Sequence, residues 1–201
     1  MVVPLTTGLV PAVVGMHRAA FPRSEASCLG ERYACAFIDW FSRRHGAVAL
    51  VAMDDEGPCG YAVGLQRDDL PELYRALLPT VVRCLILRPW VWGDPAVRQM
   101  ALQRLALLAR RVPARLPAET VPQPTWYLHT VGVVPHAQRT GVGRQLLVEI
   151  EATVRVQGPR SMLLATPRAN APARALYEDQ GWAPLGPADC KRIYYVRRLG
   201  A

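Results

Sequence analysis

The chain has 201 residues, 51% of them hydrophobic, and a formal net charge of +8. That length suits one domain with a sizeable core, and that composition excludes a chain disordered throughout. The basic balance favours anionic partners, but the arginines are dispersed, with no compact basic run and no interleaved aromatics, so no nucleic-acid partner is expected.

In chain order, "MVVPLT" reads as a short strand, and the first residues lack the basic start and cleavage site of a signal peptide. Helical periodicity follows over 9–20 and again over 29–44, where Tyr33, Phe37, Trp40 and Phe41 share a face. "GAVALVAM" predicts a buried strand, "DDEGP" a turn and "CGYAVGLQ" the returning strand of a hairpin. Residues 68–112 read as helix in two pieces, split near "RPWVWGDP". The proline-rich linker "VPARLPAETVPQPT" follows. Their most apolar stretch, "ALLPTVVRCLILRPWVW", is interrupted by Arg83, Arg88 and two prolines, so no membrane span is expected. Five cysteines (Cys28, Cys35, Cys59, Cys84, Cys190) form no C-x-x-C pair and read as reduced, mostly buried thiols of a cytoplasmic protein, with no metal site.

The second half is more regular. "WYLHTVGVVP" predicts a strand ended by Pro135, and "SMLLAT" and "IYYVRRL" predict two more. Between the first two, Leu146, Leu147, Ile150 and Val154 line one face of a helix and leave Arg144, Glu149 and Glu151 on the wetter side. "NAPARALYEDQ" predicts a further helix. Strand, turn, helix, strand, helix is a βαβα unit, and it places the turn at the C-terminal end of a strand, where open α/β sheets bind ligands.

That turn, "QRTGVGRQLL" from residue 138 to 147, combines two glycines with a helix start. The first amides of a helix have no internal partner and sit in positive potential, so an anion is the natural ligand. Two familiar phosphate loops do not fit. A Walker A loop needs Lys and Ser/Thr after its last glycine, and Arg144 and Gln145 stand there. The dinucleotide fingerprint needs glycine at 146, which is leucine, and an acid after the next strand, which reads "LLATPR".

Gln138-x-x-Gly141-x-Gly143, followed by Asn170, Ala173, Leu176, Tyr177 and Gly181 with Trp182 as the closing aromatic, resembles the GNAT (Gcn5-related N-acetyltransferase) superfamily. The resemblance spans residues 126–182 and extends to the hairpin at 47–66; it is absent over 68–124. It implies a GNAT-like α/β fold, a mixed central sheet flanked by helices. Within a single acetyltransferase domain over 1–201, the 68–124 segment would be a helical insertion between the third and fourth strands. It also implies acetyl-CoA as co-substrate, its pyrophosphate held by the loop Gln138, Arg139, Thr140, Gly141, Val142, Gly143 and Arg144, chiefly through backbone amides. Val131, Gly132 and Val133 would splay from the neighbouring strand and pair with the pantetheine arm, one freed amide (Val133) holding the thioester oxygen.

By the same resemblance Tyr177 is the general acid for the departing thiolate, since a thiol near pKa ~8.5 leaves more readily beside a phenol near ~10. Asn170 either binds the cofactor arm or caps the helix ahead of Pro172. His129, two residues before Val131 and so expected on its face of the strand, is the candidate base for the amine, with Tyr127 beside it and Glu31 as a further acid. The acceptor expected is a small-molecule amine: an amino sugar, an amine antibiotic or an arylalkylamine. A protein or peptide N-acetyltransferase and a non-catalytic acyl-CoA sensor stand as alternatives, and the 68–124 segment would wall the acceptor pocket or form a homodimer surface.

Overall fold

In the computed structural model, the residues described are 1–93, 97–98, 102, 125–185 and 191–199. Seven strands form one mixed sheet: β1 (Val2–Pro4), β2 (Ala47–Asp54), β3 (Gly57–Gln66), β4 (Thr125–Val133), β5 (Ser161–Pro167), β6 (Ala183–Leu185) and β7 (Arg192–Arg198). Their spatial order is β1-β2-β3-β4-β5-β7-β6, with β4 and β5 parallel and every other neighbour antiparallel. The β2–β3 hairpin turns within "DDEGP", as its sequence predicts, because the Asp54 carboxylate accepts from the amides of Glu56 and Gly57 at 2.9 and 3.0 Å. β3 is buried along almost its whole length, which explains why its sequence runs apolar without alternation.

The sheet is covered on both faces. α1 (Val10–Ala20) and α3 (Glu31–Arg43) pack over β2, β3 and β4 on one face. Tyr33, Phe37 and Phe41 are buried there. α5 (Val142–Arg155) crosses the other face. Neighbouring residues of β3 mark the two sides. A Cβ at Gly60 would lie 3.0 Å from Val142 of α5, whereas Tyr61 reaches His17 of α1. Leu146, Leu147, Ile150 and Val154 are all 0% exposed, as the helical spacing predicts.

α4 (Leu70–Leu87) is the first piece of the 68–124 segment; it packs on α3 and on α2 (Glu25–Leu29), and its Leu73 and Leu77 are buried. It carries Pro79 without ending and stops before Pro89, where the split was expected. The second helical piece and the linker lie almost wholly outside the described residues. Two short elements escape the sequence reading: α2, capped by Ser24, whose Oγ accepts from Ser27 N at 3.2 Å, and β6.

Glu151 corrects an expectation. It is not on a wet face but 8% exposed, accepting from Trp182 Nε1 at 3.0 Å and Arg197 Nε at 3.2 Å. Tertiary packing of Trp182 and β7 over α5 covers a position that helical periodicity alone assigns to solvent. Cys59 and Cys84 are buried free thiols, Cys28 and Cys35 are half-buried, and Cys190 lies outside the described residues. Among the described residues no helix is long and apolar enough to cross a membrane, and no His, Cys, Asp and Glu cluster could hold a metal ion.

Candidate active site

β4 and β5 begin as neighbours and then part. They pair only at Thr125–Ser161, Trp126–Met162 and Tyr127–Leu163. Past that point β4 stays with β3 as far as Val133, and β5 stays with β7 as far as Pro167. A bulge in β4, where Leu128 and Thr130 oppose Gly64 and Val63 and leave His129 over, bends the strand away. The result is an open wedge between two parallel strand ends. Val134 N–H donates to Cys59 O at 3.0 Å on the β3 side. Strand alternation therefore turns the backbone groups of Val131 and Val133 into the wedge. The Gln138 side chain caps one of them, donating from Nε2 to Val133 O at 3.1 Å.

The loop that follows β4 is braced by its own side chains. Thr140 Oγ1 donates to Ala137 O at 2.7 Å, so this side chain and that of Gln138 brace the turn itself. Arg139 and Gly141 have φ of +66° and +96°. Gly141 is the N-cap of α5, makes no side-chain cap, and has nothing within 4 Å of where a Cβ would stand. The first amides of Val142, Gly143 and Arg144 are thus presented without a capping side chain, the arrangement that receives an anion. Gly143 serves a different purpose. A Cβ there would meet Leu176 Cδ2 at 3.2 Å, so it permits α5 to approach α6 (Ala171–Asp179). The Arg144 guanidinium pairs with the Asp179 carboxylate, both exposed, across the same helix pair.

At the start of α6, Asn170 Oδ1 accepts from Ala173 N at 3.3 Å, the capping member of its two expected roles. Near the end of α6, Tyr177 is 8% exposed, its ring 6.2 Å from Trp182 and 5.8 Å from Tyr195. Burial pushes its phenol up to about 12, with Tyr127 and Tyr195 adding to the shift. Tyr177 therefore stays protonated across the physiological range and is a donor. Trp182 holds this end in place: its amide donates to Tyr177 O at 3.0 Å and its indole to Glu151 on α5. Arg197 of β7 joins the group, bonding Glu151 and Gly181 O. Sequence reading missed Glu151 and Arg197, because nothing local marks a helix glutamate as the anchor of a residue 31 positions away.

On the α3 side of β4, His129 packs 5.0 Å from Phe37, 6.0 Å from Phe41 and 5.8 Å from Tyr127, ring to ring, with Nδ1 3.1 Å from Thr130 Oγ1. The expectation that it shares a face with Val131 fails. Val131 pairs with Ala62 and so faces α5, and the bulge at His129 turns the histidine to the opposite side. Tyr127 is beside it as expected. Its phenol is raised well above the ordinary range by burial, with Tyr74 the next contributor and with Arg192 opposing the shift. Tyr194 and Glu25 also raise it. Glu31 begins α3, exposed, and pairs with Arg18 at 3.4 Å.

Gly132 is explained by the α1 face. A Cβ there would lie 2.6 Å from Tyr61 Cε1 and 3.0 Å from Phe21 Cε2. Tyr61 in turn meets His17, a residue given no role by sequence reading. His17 is 5% exposed, with Nδ1 2.5 Å from the Tyr61 hydroxyl and Nε2 2.8 Å from Ser24 Oγ.

Parted parallel strands followed by an uncapped helix start make an arrangement suited to an extended anionic ligand. The model of the Acetyltransferase (GNAT) family matches residues 11–182, and the chain belongs to that family. No curated protein matches the sequence. Among solved structures, SsHAT superposes with a TM-score of 0.70 at 20% identity, covering 100% of this chain and 98% of that one. The ribosomal-protein-S18-alanine N-acetyltransferase of Escherichia coli superposes at 0.55 with 18% identity, covering 100% and 94%. The PaiA N-acetyltransferase of Thermoplasma acidophilum, solved with coenzyme A, superposes at 0.58 with 12% identity, covering 98% of each chain. At these identities the likeness shows the shared fold. Family and fold together imply that the chain uses an acyl-CoA.

Proposed function

We propose that this acetyltransferase moves the acetyl group of acetyl-CoA to the primary amine of a small molecule: an amino sugar, an amine antibiotic or an arylalkylamine. The observation that carries the reading is the wedge itself, with the uncapped amides of the 138–144 loop at one end and the buried phenol of Tyr177 on the helix that packs against Gly143. The pyrophosphate would rest on the loop amides and the pantetheine arm beside Val131, Gly132 and Val133. The amine nitrogen attacks the thioester carbonyl directly, forming the C–N bond while the carbonyl oxygen gains charge beside the Val133 amide. The C–S bond then breaks, Tyr177 donates its proton to the departing sulfur, and the products are the amide and free coenzyme A. His129, within ring contact of Tyr127, takes the proton of the attacking amine through water. α4, which packs on α3 and α2, walls the acceptor side in this reading.

A second acceptor class has a specific observation behind it. Two of the structural neighbours, from Escherichia coli and Brucella melitensis, are ribosomal-protein alanine N-acetyltransferases, so a peptide amino terminus is the competing substrate. Thiol release from acetyl-CoA distinguishes the two, measured with glucosamine, kanamycin, 2-phenylethylamine, an alanine-initiated peptide and buffer alone. Turnover of a small amine above the buffer rate is the expected result. Turnover of the peptide alone transfers the assignment to the second reading. Binding of acetyl-CoA with no turnover of any acceptor contradicts both.

A further inference from the structure

The His17–Tyr61 contact lies outside the chemistry proposed above, yet it sits directly behind the strand end at Gly132. Hydrogen-bond accounting fixes its direction. Ser27 Oγ donates to Phe21 O at 2.7 Å, and Ser24 Oγ donates to Ser27 Oγ at 3.1 Å. Ser24 Oγ has thus spent its proton and accepts from Ser27 N and from His17 Nε2. With Nε2 as the donor, a neutral imidazole has Nδ1 free to accept, and the Tyr61 hydroxyl donates to it. Burial favours that neutral form, lowering His17 to about 4. One unidirectional chain therefore runs from Tyr61 in β3, through His17 in α1 and Ser24 at the cap of α2, to Phe21 O at the end of α1. Both ends of this chain meet Gly132. The Tyr61 ring and the Phe21 ring occupy the space where its side chain would stand.

We infer that His17, Tyr61 and Ser24 are positioning residues that tether the α1–α2 junction (residues 21–24) to β3, and so set the acceptor-side wall over the strand end at Gly132. The inference rests on the reading of the wedge as the acetyl-transfer site, with the amine arriving from the α1–α3 side of β4, where His129 lies. The cofactor side, built from the 138–144 loop, α6 and the backbone groups of Val131 and Val133 that enter the wedge, shares no residue with the tether, which reaches the strand end only across the face of Gly132. Loosening the tether therefore acts on the amine and spares acetyl-CoA.

Two readouts on the full chain test this, one of which needs no substrate. Hydrogen exchange compares wild type with Tyr61→Phe, which deletes one hydroxyl, and with His17→Asn. In the latter, Oδ1 still accepts from Tyr61, but the reach to Ser24 is lost and the Ser24 cap of α2 stays intact. The amides of Phe21, Arg23 and Ser24 are expected to exchange about tenfold faster in both variants, the size of one buried hydrogen bond, while those of α5 are unchanged. Steady-state kinetics then use acetyl-CoA with 2-phenylethylamine, or with the panel acceptor that wild type turns over fastest. The expected result is a rise of about tenfold in the acceptor KM, with the acetyl-CoA KM within about twofold of wild type. Wild-type exchange rates at residues 21–24 in both variants would overturn the tether. Faster exchange with both KM values unchanged, or both raised alike, would overturn its role in placing the acceptor. A wild-type chain inactive toward every acceptor would bring down the functional reading and that role with it, leaving the exchange data to judge the tether alone.

Discussion

The two sides of β4 solve the same problem with different materials. On the wedge side, the recognition proposed for coenzyme A rests on backbone: strand groups of Val131 and Val133, a left-handed Gly141, and a helix start with no side-chain cap. On the α1–α3 side, position is carried by side chains: the His17–Tyr61–Ser24 chain, and His129 among Phe37, Phe41 and Tyr127. Backbone recognition depends on conformation, so it constrains a few residues tightly and leaves the rest free. Arg139 and Arg144 can therefore stand in the loop without being its ligands. Side-chain positioning depends on contacts between distant segments, and every member of the chain matters.

The comparison can be broken most forcefully at Tyr177, the wedge-side side chain proposed to take part in the chemistry. Tyr177→Phe keeps the packing against Trp182 and Tyr195 but removes the donor, and kcat should fall roughly 10- to 10³-fold with coenzyme A affinity unchanged. Because burial holds the phenol near 12, its ionisation should not depress the wild-type rate below about pH 11. A descending limb near pH 9 that vanishes in Tyr177→Phe would contradict this placement.

The next effect belongs to the other side. His17 is held neutral by burial, lowered from 6.5 to about 4. The unfolded chain therefore takes up this proton before the folded one does. The stability from His17 is full above pH 6.5, is lost as pH falls from 6.5 to 4, and is gone below that. The loss amounts to about 3 kcal/mol. Urea unfolding across this window should show the slope in wild type and a flatter one in His17→Asn. Equal slopes would mean that the imidazole is not buried neutral.

A smaller effect is expected at Gly141. Valine at a φ of +96° would strain the backbone by about 1–2 kcal/mol and place a branched side chain where the loop is now open. Coenzyme A affinity, read by calorimetry, should drop about tenfold or more with the fold retained. Unchanged affinity would remove the loop from the site.

These two sides were unequally legible. The wedge side announces itself locally: the Gly141 turn, the buried stripe Leu146, Leu147, Ile150 and Val154, and the spacing from Asn170 to Trp182 all lie within one βαβα unit. Even there the glycines hid their different duties, since Gly141 answers to φ and Gly143 to Leu176. The other side was mostly silent. A bulge adds one residue without disturbing the look of an apolar strand, so alternation alone puts His129 on the wrong face. The His17–Tyr61 bond joins residues 44 apart, and no periodicity reports such a meeting. Glu151 failed for the same reason: a single helix's pattern cannot see Trp182 and Arg197 arriving over it.

The smallest effect sharpens the backbone argument. Arg144→Ala removes an exposed pair with Asp179, of the kind worth about 0–1 kcal/mol, and leaves the amides in place. Coenzyme A affinity should change less than about threefold. A loss as large as that of Gly141→Val would show that the guanidinium, rather than the main chain, holds the phosphates.

The most direct test of the wedge as the acetyl-transfer site is a crystal structure of the full chain grown with coenzyme A. The account predicts pyrophosphate oxygens on the amides at the start of α5, the pantetheine arm alongside Val131 to Val133, and the thiol within hydrogen-bonding reach of the Tyr177 hydroxyl. Coenzyme A bound away from the gap between β4 and β5, or seated there with its thiol remote from Tyr177, would contradict it.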